Sequence, residues 1–81
     1  MDAEAVYALR EAYRILDTLP EGERLAFTLR FVESMALNEV ADACQISLAT
    51  TKRRIQRAQE KFMAVAADHP VLSDWMKGQG T

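Results

Sequence analysis

The stretch Ser47–Phe62, SLATTKRRIQRAQEKF, decides how this chain is read. It holds five of the ten Lys and Arg residues and a single carboxylate, Glu60. Leu48, Thr51, Ile55, Ala58 and Phe62 recur through it at the three- and four-residue steps that place side chains on one side of a helix. At about 100° per residue, Val65 joins that apolar sector, while Ala49, Arg53 and Gln56 project from the opposite side. Thr50 and Arg57 fall on one flank and Lys52 on the other. A helix with one side in a core and a cationic opposite side is suited to lie against a polyanion. Ser47, just before the first apolar residue, is a favourable N-cap.

Across the whole chain the charge is divided. Residues 1–45 carry four basic and nine acidic side chains, and residues 46–62 carry five basic and one acidic. The net charge of −2 conceals this. A phosphate backbone responds to the local face and not to the average, so an acidic body does not exclude nucleic-acid binding. With 81 residues, 49% of them hydrophobic, the chain is expected to form one small folded domain.

The rest of the sequence reads as helices. Strand-type alternation is absent, and helical spans are expected at about 2–17, 20–32, 36–44 and 48–67, with a possible short helix at about 70–77. Asp2 is placed as the first N-cap, and Val6, Leu9, Tyr13 and Leu16 share one face. Pro20 breaks the chain after Leu19 and opens the second helix, whose first turn carries Glu21 and Glu23. Leu25, Ala26, Leu29 and Val32 are expected as its buried face, flanked by Phe27 and Phe31. Leu37, Val40, Ala41 and Cys44 point inward from the third helix. The three-residue turn Gln45-Ile46-Ser47 then leads into the basic helix. This is a compact all-α, four-helix domain containing a helix-turn-helix, closed by a short C-terminal helix or lid carrying Trp75.

Other chemistries find no support. A lone Cys44 cannot form an internal disulfide, and one cysteine with one histidine does not make the usual zinc site. No nucleophile–base pair or phosphate loop is evident, so neither catalysis nor a cofactor or metal is expected. No apolar run approaches the roughly 20 residues of a membrane span and no signal peptide opens the chain, so a cytoplasmic protein without membrane contact is expected.

The run from Leu19 to Phe62 resembles region 4 of bacterial RNA polymerase sigma factors of the sigma-70 family, most nearly the extracytoplasmic-function group. The resemblance runs without a gap over 44 of 81 residues. It rests on Leu19-Pro20, Arg24, Leu29-Arg30, Glu33, Glu39, Ala41, Ile46-Ser47, Thr50, Lys52, Arg54 and Arg57-Ala58. It implies a domain that docks on the flap of the polymerase β subunit and sets its recognition helix into the major groove of the −35 promoter element. The family's DNA-facing positions fall on Lys52, Arg53, Gln56 and Arg57, and a backbone-phosphate contact falls on Arg30. Taken with the helical wheel, Arg53, Gln56 and Arg57 are expected to read bases, and Lys52, Arg30, Thr50 and Ser47 to hold the DNA backbone.

The chain departs from the family pattern at three places. Gln45 stands where the turn has glycine, Thr51 where the recognition helix has a core valine, and Arg53 where the groove meets a small serine. The 81 residues do not include the family's promoter-melting region 2, so either an excised domain or a stand-alone derivative is expected. Two other functions remain open on the sequence. One is a stand-alone helix-turn-helix regulator. The other is a protein-interaction module that binds polymerase or an anti-sigma factor without touching DNA, its basic run being no more than a solvated helix face.

Overall fold

The computed structural model describes residues 3–70, 72 and 73. These fold into α1 (Ala3–Asp17), α2 (Glu21–Phe27), α3 (Leu37–Cys44) and α4 (Leu48–Ala66), with no strand among the described residues. α2 passes directly into a π-helical turn over Thr28–Val32. The Asp2 cap lies outside the described residues, as does most of the expected helix at 70–77 with Trp75. Within that last span, Leu72 is buried and the Ser73 amide donates to His69 O at 3.0 Å.

α1 stops where Thr18 folds back on it, its hydroxyl donating to Ile15 O at 2.6 Å. Leu19 is buried in the corner, and Pro20, in extended conformation, starts α2 with Glu21 and Glu23 at its positive end. The face that α1 buries differs from the expected one. Ala8, Ala12, Ile15 and Leu16 lie in the core, whereas Leu9 and Tyr13 are 50% and 49% exposed. The two alanines belong to the buried cluster with Phe27, Phe31 and Phe62, while the larger Leu9 and Tyr13 side chains stand at its edge.

α2 is likewise turned from the expected face. Ala26, Phe27 and Phe31 are buried, Leu29 is half-buried, and Leu25 and Val32 are exposed. The two phenylalanines offer more apolar surface than the leucine and valine they displace. The π turn, closed by Glu33 N–H donating to Thr28 O at 3.1 Å, adds a residue and shifts the helical phase at its C-terminal end. The helix then leaves through Ser34 at φ 59°.

α3 begins where the Glu39 carboxylate accepts the Ala36 amide at 2.9 Å, half of a capping box, since alanine offers no acceptor in return. It ends in a Schellman closure. Gln45 N–H donates to Asp42 O, Ile46 N–H donates to Ala41 O, and Gln45 sits in the left-handed region at φ 56°, ψ 46°. Val40 and Ala41 are buried, with Leu37 and Cys44 half-buried beside them. α4 buries Thr51, Ile55, Ala58, Phe62 and Ala66. Leu48 and Val65, both expected inside, are exposed. Leu48 occupies the first turn, and after Phe62 the buried stripe steps four residues to Ala66, which turns Val65 outward.

The core closes on aromatic contacts. Phe27 packs against Phe31 with centroids 4.7 Å apart and against Phe62 at 5.1 Å. α4 is thereby seated across α2 and held at its start by the turn from α3.

Candidate nucleic-acid interface

The N-terminus of α4 is built by hydroxyls. Ser47 is extended (φ −70°, ψ 158°), and its Oγ accepts the Thr50 amide at 3.0 Å. Its hydroxyl meets Thr50 Oγ1 at 2.9 Å, and Arg53 Nη2 donates to the same Thr50 oxygen at 3.2 Å. Thr51, one residue on, is fully buried and donates its hydroxyl to Ser47 O at 2.9 Å. Ser47, Thr50 and Arg53 are thus gathered into one hydrogen-bonded group at the start of the helix.

The five cations of the basic run separate into two sets. Lys52, Arg53 and Arg57 are exposed, on the side of α4 away from its buried stripe. Among the described residues, Lys52 and Arg57 have no hydrogen bond or ion pair. Arg54 and Lys61 are instead turned toward α2. The Arg54 guanidinium lies so close over Gly22 that a Cβ there would stand 2.8 Å from Nη1. Lys61 Nζ lies 2.9 Å from Glu23 Oε1 and donates to Oε2 at 3.2 Å, with the Glu23 side chain largely buried.

Gln56 is exposed and directs Nε2 toward Glu60 Oε1 at a long 3.4 Å. Arg30 lies apart from the α4 group, in the middle of the π turn, where it donates to Met35 O at 3.0 Å and sits 5.9 Å from the centre of the Phe31 ring. The structural share of Arg54 and Lys61 was not read from the sequence. Its signal was available: at about 100° per residue both lie between the apolar stripe and the Thr50–Arg57 flank, the edge along which a neighbouring helix packs.

A second surface lies on the core side of α4. An open apolar groove of about 450 Å³ is bordered by Leu9, Tyr13, Phe31, Val32, Phe62 and Leu72. Among the described residues no group of three or more His, Cys, Asp or Glu could hold a metal ion. None of their helices is long and apolar enough to cross a membrane.

A short helix, a tight turn and a longer helix with a cationic outer side define a helix-turn-helix DNA-binding domain. Residues 9–62, two-thirds of the chain, match the family model of sigma-70, region 4. The chain belongs to that family, a DNA-binding, helix-turn-helix class of bacterial sigma factors that act in transcription initiation. No individual curated protein and no solved structure matches it.

Proposed function

We propose that this domain binds the −35 promoter element as part of RNA polymerase holoenzyme and directs transcription initiation, in the manner of the extracytoplasmic-function group. The observation that carries the reading is the outer side of α4, where Lys52, Arg53 and Arg57 stand exposed on a rigidly seated helix. Arg53, Gln56 and Arg57 read base edges. Lys52, Thr50 and Ser47 hold the phosphate walls, and Arg30 reaches the backbone with the donors that Met35 leaves free. The groove at Leu9, Tyr13 and Val32 is the docking surface for the polymerase β flap, and an anti-sigma factor would compete for it.

The experiment is footprinting of promoter DNA by polymerase core reconstituted with the chain, fused to a promoter-melting region where required. Protection around −35 that vanishes when Arg53 and Arg57 are both replaced by alanine supports the reading. Arg53→Ala should cost about 1–3 kcal/mol at one base pair, whereas Lys52→Ala weakens all sequences alike. Identical profiles for the two variants across a −35 panel would sink this assignment of roles.

The groove also favours a second reading, a module that engages polymerase or an anti-sigma factor without DNA. Polymerase binding would then survive neutralisation of Lys52, Arg53 and Arg57, with no −35 protection in any variant. Tight dimeric binding of a palindrome without polymerase would instead mark a stand-alone regulator.

A further inference from the structure

The group at the start of α4 contains a constraint on base reading that the separate roles of its members do not include. Arg53 is a long, exposed side chain, and left to itself it would lose rotamer freedom on settling into a groove. It is not left to itself: Nη2 donates to Thr50 Oγ1 at 3.2 Å. Thr50 is in turn fixed from two directions, by its own amide donating to Ser47 Oγ at 3.0 Å and by the Ser47 hydroxyl 2.9 Å from Oγ1. The proton count is definite. A guanidinium nitrogen only donates, so Thr50 Oγ1 is the acceptor for Arg53. The two hydroxyls share one proton between their oxygens, which leaves the other for an outside acceptor. Four of the five guanidinium N–H groups also remain free.

We propose that Thr50 is a positioning residue for Arg53, holding the guanidinium in one orientation over the first turn of α4 and so setting how strictly the base pair beneath it is read. The inference rests on the DNA-binding reading above. Ser47 anchors the relay, because it ties Thr50 to the helix cap. Arg53 stands where the resemblance places a small serine, so the relay belongs to this chain's own base preference. The free hydroxyl proton points the same group at a neighbouring phosphate, which fixes the depth at which the arginine enters the groove.

The test uses holoenzyme reconstituted from polymerase core and the chain, with binding measured over −35 duplexes substituted one base pair at a time. Arg53→Ala identifies the base pair read by Arg53, through a loss of discrimination of roughly 5- to 150-fold. Thr50→Val, which keeps the shape and removes the hydroxyl, should lower discrimination at that same base pair by about 2- to 12-fold, the worth of one hydrogen bond. Thr50→Ser should restore it, and thermal melting should be unchanged in both. Should valine lower the melting temperature, Thr50→Ala serves as the second hydroxyl-free variant and carries the same expectation. If Thr50→Val weakens every duplex equally, or leaves the Arg53 base pair unchanged, the relay is overturned while the DNA-binding reading stands. If Arg53→Ala is also silent at every position, the base-reading role of Arg53 falls with the relay, and it is loss of −35 protection, not this result, that would sink the DNA-binding reading.

Discussion

Phe27 of α2 and Phe62 of α4 stack with ring centroids 5.1 Å apart and planes 21° from parallel, and neither is exposed to solvent. Together with the Schellman turn after α3, this contact holds α4 at two points, one at its start and one about four turns later. The cationic side of α4 proposed to meet DNA is therefore only as rigid as an aromatic pair on its far side. Phe62→Ala should cost about 3–5 kcal/mol through lost burial and a cavity. A domain of this size has roughly 4–12 kcal/mol to lose. Urea denaturation should show most of that stability gone, and Phe62→Leu should lose less than half as much. A loss under about 1 kcal/mol for the alanine variant would mean that α4 is seated by something else.

The turn holds a removable strain. Gln45 is at φ 56°, a region in which a Cβ crowds the backbone, and glycine occupies it freely. Both Schellman hydrogen bonds are made by main-chain amides, so Gln45→Gly keeps them. The variant should gain about 1 kcal/mol, seen as a rise in melting temperature of roughly 4–8 °C. An unchanged or lower melting temperature would show that the glutamine side chain supports the turn in a way its backbone angle does not reveal.

Thr51 carries another of the departures from the family pattern and should prove nearly costless. It is fully buried, and its hydroxyl donates to Ser47 O, a carbonyl that already accepts the Thr51 amide at 3.0 Å. Removing the hydroxyl orphans nothing. Thr51→Val should lie within about 0.5 kcal/mol of the parent or slightly above it, whereas Thr51→Ser, which deletes a buried methyl, should cost about 1 kcal/mol. Denaturant midpoints with matched slopes would check the pair. A valine variant weaker than the serine variant would contradict this account of the hydroxyl.

Features were legible in the sequence where the physics behind them is local. Ser47 as a cap and the stripe Thr51, Ile55, Ala58 and Phe62 depend on residues a few positions apart, and both were readable. The buried faces of α1 and α2 were not, because they depend on what each helix meets. Leu9 and Tyr13 fit the helical period as well as Ala8 and Ala12 do, and only the way α1 packs on the rest of the fold puts the alanines inside. The π turn at Thr28–Val32 has no sequence signature in the spacing of its apolar residues. The division of the cations was legible only in part: the helical wheel puts Arg54 and Lys61 at the edge of the buried stripe, but it does not say that Gly22 and Glu23 lie across from them.

That division gives the sharpest electrostatic expectation. Each phosphate neutralised releases counterions and adds about 0.9 to the slope of log affinity against log salt. Replacing Lys52 with alanine should lower the slope of holoenzyme binding to −35 DNA by about 1. Arg54→Ala and Lys61→Ala should leave it unchanged, since those cations face α2, and should act on folding stability instead. The Lys61–Glu23 pair has a largely buried carboxylate, so Lys61→Ala strands Glu23 and its effect should shrink when Glu23→Gln is made with it. Titrations at four or five salt concentrations would separate the two sets. Equal slope changes for Arg54 and Lys52 would show that both reach phosphate, and that the packing of Arg54 on Gly22 gives way when DNA binds.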